Sequence, residues 1–593
     1  MKVAGSNLHL AWARLLVHGL ASSGVKNVVI SPGSRSTPLV LAAAQERGLT
    51  CHTIIDERSA AFFALGQARV TGLPTVLICT SGTAAAHYLP AIIEANESFL
   101  PLLALTADRP WEAYDVGSPQ TIDQVKLFGG HVRHFFDVGT PEASGAVLRG
   151  VVRIAAQAVA RALGPTPGPV HINAHFRKPL EPVDVAGRES WQDDVDALLA
   201  RGAPDVRVAP TALDKDAVEE LARACLAARR GLIACGPSGF PVDESLAAAV
   251  STLALATGFP VFAEATSQVR FGPSADGVVI CGAFDALLRS PHWSEPPELI
   301  IELGSTPVSG AYATYVAQHA SVPRWVIAPH GWHDAFNSAS TIVQASPAAF
   351  AFATAAWVTA ADDGRPRTWA RRWSEADAVA WSLAERDWAG PALTEGSIAR
   401  ILSRMLPERS CLMVGNSSPV RDLDTYAPPH GRPIRVLHQR GASGIDGLVS
   451  GAAGVRSVVN VPVALYLGDV SLLHDLGGLA IAARAGGPLA IVVVQNDGGR
   501  IFEQLPLGRR TELAGALTEH FVTPHGLSFD HAAGMFGLPY RRATTTAELE
   551  GSLAGALEHP GCTLIEAVVS PRDGNERRQR LWRDVAERLG AEA

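Results

Sequence analysis

The feature that most limits what this chain can fold into is an alternation. Short β-branched runs are each followed by alanine-rich stretches of helical composition: "NVVISPGSR" then "STPLVLAAAQERG", "CHTIIDERS" then "AAFFALGQARVTG", then "PTVLICTSGT". This rhythm builds βαβ units, in which a parallel sheet carries helices on both faces. It recurs from "GLIACGP" to "LIIELGS" and from "SCLMVGNSS" to "TLIEAVVS". At 593 residues the chain is too long for one core of about 100 to 200 residues, and three recurrences predict three α/β domains, each a doubly wound parallel sheet. Strand signals fade and charge rises at 181–210 and at 359–377, which places the domains at 1–188, 189–370 and 371–593.

Composition narrows the class of partner. Hydrophobic residues are 47% and charged residues 18%, a balance typical of globular proteins. Lysine plus arginine number 50 against 58 acids, for a net charge of −8 with no basic run, which speaks against nucleic acid and anionic membrane as partners. The seven cysteines form no CxxC pair and read as reduced core residues of a cytoplasmic protein. Arg14 interrupts the apolar N-terminal "NLHLAWARLLVHGLASSG", so this segment is expected to be an amphipathic helix rather than a signal peptide. No later apolar run approaches the roughly 18 to 20 residues that span a bilayer.

Two strand ends carry candidate chemistry. The buried-strand run "VALYLGD" stops on Gly468 and Asp469, and "VVVQNDGG" stops on Gln495, Asn496, Asp497, Gly498 and Gly499. One βαβ crossover brings Asp469 and Asn496 to the same sheet edge, where open parallel sheets bind ligands. A carboxylate, an amide and a carbonyl from a glycine turn form a hard-oxygen half-shell, suited to Mg²⁺ that completes its sphere on a diphosphate. Gly468 and the helix after Asp469 are expected to offer N–H groups to that anion.

The spacing of "GD", 26 residues and "N" resembles the cofactor motif of thiamine diphosphate-dependent enzymes, although this chain reads Gly468-Asp469-Val470 and Gln495-Asn496 where the family commonly reads GDG and NN. The resemblance implies Asp469 and Asn496 as side-chain ligands of Mg²⁺, with Mn²⁺ as a possible substitute, and Gly498 as a carbonyl ligand. Thiamine chemistry also needs a carboxylic acid at the aminopyrimidine N1′. Glu57, between a strand and a helix in "CHTIIDERSAAFF", is placed for it, and an acid shielded from water there would have a raised pKa.

With "SPGSRSTP", "TSGTAAA", "TADRP", "RGASGIDG" and "NDGGRIFEQLP" in matching order, the chain resembles the 2-succinyl-5-enolpyruvyl-6-hydroxy-3-cyclohexene-1-carboxylate synthases of menaquinone biosynthesis. The resemblance implies pyrimidine-binding, central and diphosphate-binding domains, the central one without FAD. It implies decarboxylation of 2-oxoglutarate on the thiamine ylide and Stetter-like 1,4-addition of the resulting carbanion to isochorismate. Both substrates are dianions, for which the planar arginine fork is suited.

By the same resemblance, Ser34, Arg35, Arg109, Gln120, Ser417, Arg421, Arg440 and Phe502 line the substrate site, with Gln120 near the reacting centre. Thr80, Gly82, Ser443, Ile445, Gly468, Val470 and Ile501 join Glu57 at the cofactor, Ile445 beneath the thiazolium. In this architecture Glu57 and Asp469 meet only across an interface, so a homodimer or homotetramer is expected. His87, His438 and His474 read as structural. Two positions depart from the family: Pro119 stands for an asparagine, and Gly310 for a lysine implicated in binding isochorismate. Losing that charged partner costs about 1.5 to 3 kcal/mol unless another basic side chain replaces it. An acetohydroxyacid synthase-like enzyme, a catalytically silent relative and a nicotinamide-dependent dehydrogenase are the alternatives, the last disfavoured by the lack of a dinucleotide fingerprint.

Overall fold

The computed structural model describes residues 8–183, 187–207, 212–293, 295–361, 368–388 and 390–590. Parts of both expected inter-domain breaks, at 184–186, 208–210 and 362–367, lie outside the described residues.

The alternation folds as expected, into three six-stranded parallel sheets. The first has the order β2-β1-β3-β4-β6-β5, built from β1 (Asn27–Ile30), β2 (Thr50–Thr53), β3 (Thr75–Cys79), β4 (Leu102–Asp108), β5 (His134–Asp137) and β6 (Val170–His175). The second has the order β12-β11-β10-β7-β8-β9, from β7 (Gly231–Cys235), β8 (Val261–Ala263), β9 (Ile280–Cys281), β10 (Leu299–Leu303), β11 (Arg324–Ala328) and β12 (Thr341–Gln344). The third has the order β14-β13-β15-β16-β18-β17, from β13 (Cys411–Val414), β14 (Arg435–His438), β15 (Val463–Gly468), β16 (Leu489–Gln495), β17 (Tyr540–Ala543) and β18 (Cys562–Val568). Central strands such as β3, β4 and β16 are buried along their whole length, as a sheet covered on both faces demands.

The chain divides into two compact units. One comprises Met1–Pro210 with Arg440–Val459 and Gly477–Ile481; the other comprises Thr211–Gln439, Asn460–Leu476 and Ala482–Ala593. In the first unit the N-terminal helix Leu8–Ser22 buries Trp12, Leu15, Leu16 and Leu20 in the core of the first sheet. The helix Trp191–Arg201 adds Trp191 and Val195 to that core. In the second unit one apolar cluster runs from Leu232 and Phe262 under the second sheet to Ala464 and Val492 under the third. Arg270, 1% exposed, crosses between these layers to donate to the carbonyls of Asp424 and Ala427.

Among the described residues no helix is long and apolar enough to cross a membrane. Six of the seven free cysteines are buried as expected, whereas Cys51 is exposed because β2 is the edge strand of its sheet.

Candidate active site

In the first unit the expected residues follow the carboxyl ends of adjacent strands: Ser34 and Arg35 after β1, Thr80 and Gly82 after β3, Arg109 after β4. Arg35 is only 5% exposed; its backbone N–H donates to Thr80 Oγ1 at 3.3 Å and its Nη1 to the Phe176 carbonyl at 2.7 Å. A Cβ on Gly33 would stand 2.3 Å from Thr80 Cβ, so only glycine lets the two turns approach. The Nε atoms of Arg35 and Arg109 are buried without hydrogen-bond partners among the described residues. Burial, then the nearby Arg109 charge, pushes the Arg35 pKa down. Two guanidinium groups whose buried Nε donors are spare make an anion site. Ser34 and Gln120 are exposed, Gln120 in the left-handed region at φ 53° beside Gly82.

A buried polar network beneath these turns is a feature that sequence reasoning missed. Asp108 accepts the Arg109 N–H at 2.7 Å, the Tyr114 hydroxyl at 2.5 Å and Asn173 Nδ2 at 2.8 Å. Gln124 accepts the Gly82 N–H at 2.9 Å and donates to Asn173 Oδ1 at 2.9 Å. His175 lies 2.6 Å from the Arg109 carbonyl through Nδ1 and 2.6 Å from Asp137 Oδ1 through Nε2. Both of those partners are acceptors, an arrangement that favours the doubly protonated ring. Burial opposes the imidazolium, but the bonds to Asp137 and to the Arg109 carbonyl outweigh it and raise the His175 pKa above its ordinary 6.5. Bonding to His175 lowers the Asp137 pKa in turn.

The sign of the pH dependence follows from these shifts. The His175 contribution is complete below about pH 6.5 and is lost as pH rises through the folded value, while that of Asp137 is lost as pH falls through its own lowered value. Thermal melts should therefore show stability falling above pH 6.5, by at most about 1.4 kcal/mol per pH unit from this group, with that component absent in His175→Gln. An unchanged slope in the variant excludes the doubly protonated ring.

Glu57 is the first residue of the helix Glu57–Thr71, capped by Asp56, whose Oδ1 accepts the Arg58 N–H at 2.9 Å. It is half-buried in the single chain. Its helix packs backbone to backbone on the helix Leu448–Arg456. A Cβ on Gly66 would lie 2.1 Å from the Gly451 carbonyl oxygen, and one on Gly454 2.0 Å from that of Phe63. That contact brings the 440–447 segment, with Arg440, Ser443 (φ 61°) and half-buried Ile445, onto the unit that carries Glu57. Buried Glu94 fixes the segment by accepting the N–H groups of Gly441 at 3.0 Å and Ala442 at 2.7 Å.

In the second unit β15 and β16 pair with Gly468 opposite Val494, so Asp469 and Asn496 emerge at one sheet edge. Asp469 is 1% exposed; it accepts the N–H groups of Val470 at 2.7 Å, Asn496 at 3.2 Å and Gly498 at 3.0 Å. Burial raises its pKa despite these bonds, the behaviour of a carboxylate without a full counter-charge. The following helix, Asp469–His474, is only one and a half turns long, and the Val470 N–H is spent on Asp469. Open space adjoins Gly468, where a Cβ would meet nothing within 4 Å. Gly498, at φ 119°, faces the Val522 carbonyl so closely that a Cβ would stand 2.2 Å from it. Its own carbonyl accepts the Arg500 N–H at 2.8 Å, which leaves one lone pair.

A carboxylate, an amide and a carbonyl, all oxygen donors around an under-compensated charge, fit a hard divalent cation. Ser417 (φ 70°) follows β13 on the same edge, and its carbonyl accepts Arg421 Nη1 at 2.6 Å. Ile501 and Phe502 lie in the turn Arg500–Gln504, with Phe502 packed edge-on against Phe521. His438 is buried at the end of β14.

Gly310 begins the helix Gly310–Gln318, and the Arg289 guanidinium lies 3.9 Å from where its Cβ would be. Arg289 is held by Asp285 at 2.9 Å and stacks on Trp582 at 3.7 Å. It puts a cation beside the position that lacks a lysine.

Sequence reasoning also missed Glu395 and His525. Asn496 Nδ2 donates to Glu395 Oε1 at 3.4 Å, and burial, then the Asp422 charge, pushes the Glu395 pKa up to about 7. His525 Nε2 stands 3.3 Å from Asp469 Oδ2. In the sequence Glu395 reads as an ordinary helix N-terminal acid and "TPHG" as an ordinary turn; only their folded proximity marks them.

The family profile "Thiamine pyrophosphate enzyme, N-terminal TPP binding domain" matches residues 11–127, and its C-terminal TPP binding domain counterpart matches residues 425–567. The chain is 55% identical over 599 residues to the 2-succinyl-5-enolpyruvyl-6-hydroxy-3-cyclohexene-1-carboxylate synthase of Sorangium cellulosum (strain So ce56), covering 99% of this chain and 97% of that one. Proteins of the same name from Geobacillus kaustophilus (strain HTA426) and Haloarcula marismortui (strain ATCC 43049) are 40% and 38% identical, covering 98% and 99% of this chain and the same shares of theirs.

Proposed function

We propose that this chain, which belongs to the family of thiamine diphosphate-dependent 2-succinyl-5-enolpyruvyl-6-hydroxy-3-cyclohexene-1-carboxylate synthases, decarboxylates 2-oxoglutarate and joins the remaining four-carbon unit to isochorismate by 1,4-addition, releasing CO₂. When bound, the cofactor supplies the electron sink that lets a 2-oxoacid lose CO₂ and its acyl carbon act as a nucleophile. The protein binds, orients and excludes water. Asp469, Asn496 and the Gly498 carbonyl would hold Mg²⁺ against the diphosphate, beside Gly468, Val470 and Ile501. Glu57 would hold a proton at the aminopyrimidine N1′, with Thr80, Gly82, Ser443 and Ile445 around the rings.

Arg35, Arg109, Arg421 and Arg440, with Ser34, Gln120, Ser417 and Phe502, would receive the carboxylates of the two substrates. The observation that carries this reading is the pair of buried, unpartnered Nε donors on Arg35 and Arg109. Paired guanidinium groups with spare buried donors favour dianionic substrates over a pyruvate-sized donor, which supports this reading over an acetohydroxyacid synthase-like activity. Arg289 beside Gly310 is the candidate for the cation that isochorismate would otherwise lack.

The assembly proposed is a homodimer or a homotetramer, with Glu57 and Asp469 of different subunits in each site. Exposed Ile55 (80%), Trp111 (75%) and Val116 (67%) near the first unit's site turns support a covered surface there. A fully active monomer in sedimentation at assay concentration excludes it. A cytoplasmic location and domain limits near 188 and 370 complete the reading; fractionation and limited proteolysis test them.

The deciding assay combines purified protein, thiamine diphosphate and Mg²⁺, and follows CO₂ from 2-oxoglutarate together with isochorismate consumption. The expected result is matched release and consumption. CO₂ release without isochorismate consumption shows a different acceptor, and neither signal shows a silent relative.

A further inference from the structure

The two side chains proposed to hold the cation each have an ionisable residue behind them. Glu395, 8% exposed, opens the helix Glu395–Met405, and its position is set by the capping pair Thr394 and Ser397. Its carboxylate lies against the start of the helix Asp573–Gly590, so closely that a Cβ on Gly574 would stand 2.5 Å from Oε1. It accepts from Asn496 Nδ2 at 3.4 Å. By taking the amide N–H on Oε1, Glu395 selects the amide rotamer that turns Asn496 Oδ1 the other way, toward the cation site.

His525 performs the corresponding task for Asp469. Asp497 Oδ1 accepts the backbone N–H groups of His525 at 2.9 Å and Gly526 at 2.8 Å, tying this turn to the cation-site loop. The Leu527 N–H donates to His525 Nδ1 at 3.0 Å, which makes Nδ1 the bare nitrogen of the neutral ring and Nε2 the protonated one. That Nε2 is buried, stands 3.3 Å from Asp469 Oδ2 and has no hydrogen-bond partner in place among the described residues, so a small turn of the carboxylate would engage it.

We propose that Glu395 and His525 are positioning residues of the cation site, the first fixing the amide of Asn496 and the second the carboxylate of Asp469. The inference rests on the assignment of Asp469 and Asn496 as ligands. Partners behind metal ligands commonly set affinity by about 10- to 100-fold, because they prevent the ligand from rotating away.

The test is Mn²⁺ binding followed by electron paramagnetic resonance, on the full chain with thiamine diphosphate, for the parent, Glu395→Gln, Glu395→Leu, His525→Gln and His525→Phe, with circular dichroism and melting of each. Glutamine can still present an acceptor to Asn496 or a donor to Asp469, so both glutamine variants should bind within about threefold of the parent. Glu395→Leu and His525→Phe should bind about 10- to 100-fold more weakly, with native circular dichroism. A purely structural role would lower the melting temperature without the rescue by glutamine. If Glu395→Leu does not fold, His525→Phe decides, since its ring lies on a turn and not in a core. Parent-like affinity in the leucine and phenylalanine variants overturns the inference and leaves the ligand assignment intact. A parent that binds no Mn²⁺, or an Asp469→Asn variant that binds it normally, overturns the assignment itself.

Discussion

Glu57→Gln is expected to reduce CO₂ release from 2-oxoglutarate by about 10²- to 10⁴-fold while the protein folds and binds its cofactor much as the parent does. The substitution is isosteric, and the helix it opens keeps its Asp56 cap and its glycine contacts with Leu448–Arg456. What disappears is the exchangeable acid proton that Glu57 would hold at the aminopyrimidine nitrogen. A helix N-terminal carboxylate is worth about 0.3 to 1 kcal/mol through the helix dipole, so melting should shift by no more than about 4 °C. Stopped assays for CO₂ and calorimetric titration with thiamine diphosphate separate the two quantities. A variant that retains turnover within tenfold of the parent shows that Glu57 is only a cap-adjacent acid and that another group manages the proton.

The parts of this site legible in the sequence are those written in local pattern. The runs ending at Asp469 and Asn496 are continuous apolar strands bounded by glycine turns, and β15 and β16 pair where the crossover rule places them. Gly66 and Gly454 were not legible in this way. A glycine in a helical stretch reads as a weak spot, and only the fold shows that each admits a carbonyl where any side chain would collide. Nor does local pattern show that Arg440–Val459, late in the chain, joins the unit built by the first 210 residues. Glu395 lies 101 residues from Asn496, and Gln124 reaches Gly82 from 42 residues away. Such polar partners sit at helix starts and turns, where capping alone would account for their residue types.

Asp469→Ala and Asp469→Asn should both abolish measurable Mn²⁺ binding, and with it turnover, but for reasons that melting can separate. Alanine removes both oxygens and orphans the N–H groups of Val470, Asn496 and Gly498, at about 1 to 3 kcal/mol for each that water cannot reach. Its melting temperature should fall well below the parent's even without cation. Asparagine keeps the shape and one acceptor oxygen, so it should melt nearer the parent, while its neutral amide leaves a divalent ion without the single carboxylate assigned to it. The gap between the two variants therefore measures how much of the turn's stability comes from the carboxylate as scaffold; their shared loss of binding measures the ligand. Parent-like Mn²⁺ affinity in Asp469→Asn means that Asp469 only ties β15 to the Asn496–Gly498 turn, and the cation must then be sought on other oxygens.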